Sequence, residues 1–243
     1  MNSEQTPPVE AATETHAQVV PRRHAVRRLL RAEIYYGAGL AAFAVLALFA
    51  HFNAYFGWDV RVSHAVQAMG NSTFAAFMRL VSVVGDRWHP YALATLTVII
   101  LFAFRFRSEA AGLALSTTGS AMLNTLIKTL IARPRPAGEL VTVYRNLKSQ
   151  SFPSGHVTFY VCYFGFLFFV AYAVLPRGSL MRRVALILLA LPVMLVGLSR
   201  VYLGEHWPSD TLGGYLFSGL WLAFSLHMYR RWKERATFHA QSN

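Results

Sequence analysis

Six stretches of this chain are apolar over roughly the 20 residues that an α-helix needs to cross a bilayer. They fall at about 34–52, 89–105, 109–131, 156–175, 183–202 and 210–229. In hydrocarbon, each backbone N–H and C=O must find its partner within the protein, so apolar runs of this length become helices. The expected fold is therefore an all-α membrane protein with six transmembrane helices. Composition agrees: 14% of the 243 residues are charged, against about 25% in an average soluble domain. The single cysteine, Cys162, lies among Tyr160, Val161, Tyr163 and Phe164, where it reads as packing and rules out a disulfide framework.

Between the first two spans, residues 53–87 place Val62, Ala65, Val66 and Met69, then Phe74, Phe77, Met78 and Val81, at helical spacing. Two short amphipathic helices in the membrane interface are expected there, with Gly70, Asn71 and Ser72 as the turn. Residues 1–20 are polar, with Pro7 and Pro8, and read as a disordered tail rather than a signal peptide. The expected division is a basic cytoplasmic tail over 1–32, a six-span domain over 33–230 and a second cytoplasmic tail over 231–243. The net charge of +12 would suggest nucleic acid in a soluble protein. Here the basic residues are divided among the segments between spans, which argues against a nucleic-acid partner. Placing the N-terminus in the cytoplasm puts 14 of the 23 Lys and Arg residues on that side, the bias of the positive-inside rule. Both termini are then cytoplasmic.

On the opposite side three polar clusters sit at the ends of the spans, and two of them hold several of the remaining nine cations. Lys128, Arg133 and Arg135-Pro136 lie at the end of the third span. Pro153-Ser154-Gly155-His156 opens the fourth, and Ser199-Arg200, Glu205-His206 and Asp210 link the fifth to the sixth. Charge beside a spanning segment is costly and implies a function. Lys128, Arg135 and Arg200 around two histidines and an aspartate suit a phosphate ester, because guanidinium groups bind its oxygens bidentately and lysine adds a point charge. Ser154 offers a hydroxyl, and Gly155 lets the backbone and the N-terminus of the fourth span approach an oxyanion. His206 and Asp210 share a face if the segment is helical. A carboxylate holding one imidazole nitrogen leaves the other free to attack phosphorus, while His156 can protonate the departing oxygen.

Together these clusters resemble the signature of the type 2 phosphatidic acid phosphatase (PAP2) superfamily: K-x6-RP, PSGH and SR-x5-H-x3-D. Every signature position is matched, from Lys128 to Arg135-Pro136, through Pro153–His156, to Ser199-Arg200, His206 and Asp210. The resemblance implies His206 as nucleophile, His156 as general acid, Asp210 as orienter, and Lys128, Arg135, Ser154, Gly155 and Arg200 as the phosphate site. It also implies a phosphohistidine intermediate with no metal and no cofactor. The sequence agrees on the metal, since its 11 carboxylates are scattered whereas two-metal phosphatases cluster theirs. The expected partners are membrane lipids and a phospholipid or isoprenoid-diphosphate substrate, acted on at the outer side of a bacterial inner membrane. Undecaprenyl diphosphate is the first candidate, ahead of phosphatidylglycerophosphate or phosphatidic acid, then lipid A. A lipid or phosphate transporter, or a vanadate haloperoxidase, are the other classes; the nucleophile–acid–orienter set opposes the first and the spans oppose the second.

Other residues have plainer readings. Arg133 is a candidate head-group contact, and Glu205 either tunes His206, touches substrate or is solvated. Pro134 and Pro136 stop the third span. His51, His64 and His89 read as interfacial residues, His227 as packing, and Trp58, Trp88, Trp207 and Trp232 as aromatic anchors, with Trp207, inside the third motif, also a candidate substrate contact. Gly213, Gly214 and Gly219 would let helices pack closely.

Overall fold

A computed structural model describes the backbone of residues 22–241 and the side chains of residues 33–236. The tail expected over residues 1–20 lies outside the described residues. The chain divides into two units, Met1–Gly37 and Ala38–Asn243. The described part of the first is the start of a helix, and the second carries everything below.

Among the described residues all regular structure is helical. Helix α1 spans Arg22–Phe52, so it begins inside the stretch assigned to the N-terminal tail. Helices α2 (Gly57–Ala68) and α3 (Ser72–Ser82) fill the segment between the first two apolar stretches. Asn71 accepts from the Phe74 backbone N–H at 2.9 Å and starts α3. Then follow α4 (His89–Ala103), α5 (Arg107–Ala114) and α6 (Ser120–Ile131), the last two joined by a wide π turn over Leu115–Gly119. Helix α7 covers Gly155–Val174, α8 Leu180–Tyr202 and α9 Pro208–Gln241. Helix thus continues through most of the stretch read as the C-terminal tail.

Among the described residues three helical segments are long and apolar enough to cross a membrane: Glu33–Phe52, Gly155–Val174 and Leu180–Tyr202. α4 is shorter. α6 and α9 are diluted by Ser116, Thr117, Ser120, Asn124, Ser218 and Ser225 in and beside them, all buried. Those hydroxyls bond to carbonyls, as Ser116 does to Cys162 at 2.8 Å, so they lower hydropathy without facing lipid. The outward surfaces carry exposed Leu48, Phe49, Ile99, Ile100, Met122, Leu126, Ile187, Leu188, Leu191 and Met194, an apolar surface of the kind a bilayer covers.

α7 is the central helix, packed mainly on α8 and α9. Phe166, buried completely, meets Tyr229 edge-on at 5.6 Å. Gly214 allows the close helix packing expected of it, since a Cβ there would press on Val157 of α7, whereas Gly213 makes room for Phe152 in the loop before α7 rather than for a helix. Gly219 differs, with open space where its Cβ would be. In α8, the Tyr215 hydroxyl enters the helical ladder, accepting from Gly197 N–H at 3.1 Å and donating to Val193 O at 2.6 Å. α6 ends as Ala132 turns into the left-handed region, with Pro134 and Pro136 following.

The long connection from Ala132 to Ser154 folds down over the mouth of the bundle. The Tyr144 N–H donates to Leu203 O at 3.1 Å, and Gln67 of α2 bonds to both the N–H and the carbonyl of Thr142. At the end of α8, Gly204 has φ +62°, and a Cβ there would lie 2.0 Å from the Thr142 carbonyl oxygen. Only glycine satisfies both demands. Gly204→Ala should therefore destabilise the fold by about 1–3 kcal/mol, read as a lowered melting temperature in detergent.

Candidate active site

The α8–α9 turn carries Glu205, His206 and Trp207, all buried. The N–H groups of Glu205 and His206 both point back to Arg200 O, at 3.1 and 3.4 Å, which folds the chain tightly enough to bury the imidazole. Asp210, in the first turn of α9, accepts from the Trp207 N–H at 2.9 Å and is itself fully buried. His206 Nδ1 lies 3.6 Å from Asp210 Oδ2, beyond a hydrogen bond. Ser151 bridges them: its Oγ donates to Asp210 and sits 3.4 Å from His206 Nδ1. The expected direct pair is thus relayed through a serine that no motif singled out.

The other ring nitrogen, Nε2, is 3.2 Å from Arg135 Nη1. Arg135 also donates to the carbonyls of Ser149 and Glu205 and to Ser149 Oγ. Burial lowers its pKa to about 10, which leaves it charged at neutral pH. Lys128 Nζ donates to the carbonyls of Gln150 and Ser151 at 2.7 and 3.2 Å. A Cβ on Gly155 would lie 4.0 Å from Lys128 Cε, so the lysine flanks the N-terminus of α7. Burial, and then the charges of Arg135, Lys128 and Arg200, hold His206 well below the ordinary histidine range. The imidazole is therefore neutral at physiological pH, and its Nε2 lone pair faces Arg135, from which it accepts.

The buried donors with no protein partner among the described residues include Ser154 Oγ, Arg200 Nε and Trp207 Nε1. Ser154 is the N-cap of α7, yet its hydroxyl makes no capping bond. Arg200 uses one terminal nitrogen on Ser82 Oγ at 2.7 Å and the other on the Glu205 carboxylate. Glu205 is not solvated. It is 1% exposed and ion-paired to Arg200 and to Arg145, at 2.9 Å for the latter.

Arg133 differs from expectation. It is 1% exposed and cannot reach a lipid head group. Its nitrogens donate to Asn53 O (3.1 Å), Ser209 Oγ (2.7 Å), Asp210 Oδ1 (2.6 Å) and Asp59 Oδ2 (3.0 Å), and its guanidinium lies over the Phe56 ring. Asp59 in turn accepts from Ser209 N–H and Oγ–H. On the other side, His156 Nε2 meets Asp86 Oδ1 at 2.9 Å, and Asp86 is also held by Arg145. Sequence reading missed Asp59, Ser82, Asp86, Arg145 and Ser151. The sequence shows only that carboxylates are few there; in the structure, five of the six between residues 53 and 210 form ion pairs.

Among the described residues no three His, Cys, Asp or Glu side chains group as metal ligands. The eight residues named from the motifs converge on this one mouth of the bundle. A sequence model of the PAP2 superfamily matches residues 109–234. The chain belongs to the PAP2 superfamily. It is an integral membrane phosphatase, a hydrolase of phosphoric esters.

Its relatives carry several substrate names. Phosphatidylglycerophosphatase B of Bacillus subtilis is 29% identical over 184 residues, 75% of this chain and 88% of that one. Undecaprenyl-diphosphatase of Sulfolobus acidocaldarius is 25% identical over 69% of this chain and 76% of its own length. Among solved structures, the transmembrane PAP2 type phosphatidylglycerolphosphate phosphatase from Bacillus subtilis superposes with TM-score 0.70 at 25% identity, covering 81% of this chain and 96% of that one. Aquifex aeolicus LpxE superposes with TM-score 0.55 at 25% identity, covering 71% and 96%.

Arg133→Ala would leave Asp59 and Asp210 as buried carboxylates without their cation. It should cost about 3–5 kcal/mol of stability, whereas the surface change Lys148→Ala should leave the melting temperature in detergent unmoved.

Proposed function

We propose that this PAP2 phosphatase hydrolyses lipid phosphates through a phosphohistidine on His206. The observation that carries the reading is the His206 ring: neutral, buried, tied through Nδ1 to Ser151 and Asp210, with Nε2 beside Arg135. A neutral imidazole with one nitrogen fixed is a nucleophile at the other. Arg135, Lys128, Arg200, Ser154 and the Gly155 N-terminus of α7 would take the phosphoryl oxygens. The unpartnered Ser154 Oγ and Arg200 Nε fit that role. Asp210 orients His206, and His156 protonates the leaving oxygen.

In this reading six segments cross the bilayer: α1, α4, α5 with α6, α7, α8 and α9. The excess of cations on the terminal side supports cytoplasmic termini and a site at the outer face. For the lipid, the long match to a phosphatidylglycerophosphatase in both sequence and structure supports a glycerophospholipid phosphate. We therefore rank it ahead of the isoprenoid diphosphate favoured by the sequence alone. The relative named for the isoprenoid diphosphate is less similar.

The test is phosphate release by purified protein in detergent with excess EDTA. Phosphatidylglycerophosphate, undecaprenyl diphosphate and phosphatidic acid are offered in parallel. Wild type should turn over with phosphatidylglycerophosphate fastest, and His206→Ala should lose both turnover and the acid-labile phosphoenzyme. His156→Ala should slow lipid turnover by roughly 100- to 10,000-fold. Phosphate release by His206→Ala at the wild-type rate would refute the nucleophile, and a fastest rate on undecaprenyl diphosphate would restore the isoprenoid reading.

A further inference from the structure

His156 is not free at the mouth of the site. Its Nε2 is 2.9 Å from Asp86 Oδ1, a carboxylate 70 residues earlier in the chain. Asp86 ends a short 3-10 turn over Val83–Gly85, and its N–H donates to Val83 O at 3.2 Å. Two side chains pin this turn. Tyr160, one helical turn beyond His156 on α7, donates to Val81 O at 2.5 Å. The His89 ring donates from Nδ1 to Val83 O at 2.9 Å. The turn also lies directly on the imidazole, since a Cβ on Gly85 would sit 2.3 Å from the His156 ring. Glycine is needed for that approach.

Asp86 is itself anchored. Arg145 grips it with both terminal nitrogens at 2.7 and 3.1 Å and reaches Glu205 with its remaining edge. Burial raises the pKa of Asp86, but hydrogen bonds from His156 and Arg145 outweigh it and hold the carboxyl far below the ordinary range. It is an anion at any working pH. The charged groups facing His156 are therefore Asp86, Arg145 and Arg200, and Asp86 is the one that favours an imidazolium.

We propose that Asp86 is the positioning residue for the leaving-group acid. It fixes the His156 ring through Nε2 and supports its charged form, so that Nδ1 delivers the proton. The site would then hold two histidine–aspartate pairs, His206 with Asp210 for attack and His156 with Asp86 for departure. This rests on the reading of His156 as the acid. In the first half-reaction, the His206 Nε2 lone pair forms the N–P bond as the P–O bond to the lipid breaks. The electron pair stays on the leaving oxygen, which takes the proton from His156 Nδ1. In the second, a water oxygen attacks phosphorus, its proton returns to His156 Nδ1, and the N–P pair returns to His206. Throughout, the Nε2 proton stays in its bond to Asp86.

The experiment compares a lipid phosphate, whose alkoxide leaves only when protonated, with 4-nitrophenyl phosphate, whose phenolate leaves unaided. Asp86→Asn should slow lipid turnover roughly 100-fold while staying within about threefold of wild type on the nitrophenyl ester. Asp86→Asn in a His156→Ala background should add nothing further. Gly85→Ala, which keeps Asp86 but displaces the ring, should give the same split between substrates and guards against an Asp86 variant that fails to fold. Equal losses on both substrates, or no loss on the lipid, would overturn the role of Asp86. If His156→Ala itself shows no split, the acid assignment falls; if His156→Ala shows it and Asp86→Asn does not, only the Asp86 inference falls.

Discussion

A guanidinium sealed between two carboxylates, Arg133 between Asp59 and Asp210, ties the mouth of this bundle together. Charges this dry are costly to strip of water, and they persist only when every donor is met. Here each nitrogen of Arg133 has an oxygen, and those oxygens come from the end of α1, from α2 and from the first turn of α9. Four distant segments are thereby forced to one point. Asp210 cannot shift without exposing Arg133, so the carboxylate that accepts from Ser151 is stationary. That in turn holds His206.

Around this anchor the site is built in two halves of different character. The His206 half is sealed, and its polar atoms are satisfied by Ser151, Asp210 and Arg135. The His156 half is partly open: Asp86 and Arg145 have side chains 19% and 42% exposed. A nucleophile gains from desolvation, because water would solvate its lone pair. A group that passes protons to a leaving lipid and takes them back from water gains from access to both. Glu205 joins the halves by lying on Arg200 and Arg145 together, so strong local charges are balanced rather than left to repel. On the proposed reading, Arg200 meets phosphate with its Nε edge while Ser82 and Glu205 fix its plane.

The motif residues were legible because phosphate chemistry needs particular groups at fixed spacing on few elements. Lys128 and Arg135 flank one helix end, Ser154–His156 open another, and Arg200, His206 and Asp210 share one turn. Their convergence at one mouth follows from helices that begin and end on the same side. Asp86 and Ser82 were not legible, since they lie 70 and 118 residues from their partners, with no periodicity joining them. Arg133 was misread for a related reason. Its position beside Arg135 resembles a second phosphate contact, and nothing local shows that Asp59 lies beneath it.

From the sequence alone came the helical membrane architecture, since apolar length and backbone hydrogen bonding leave no alternative in a bilayer. The family chemistry came with it, since three motifs in register carry it. Tertiary structure decided which carboxylate serves which cation. Asp59 goes to Arg133, Asp86 to His156 and Arg145, and Glu205 to Arg200 and Arg145. Ion pairing depends on distance in space and on the loss of water around both partners, and neither is written in the spacing of residues along the chain.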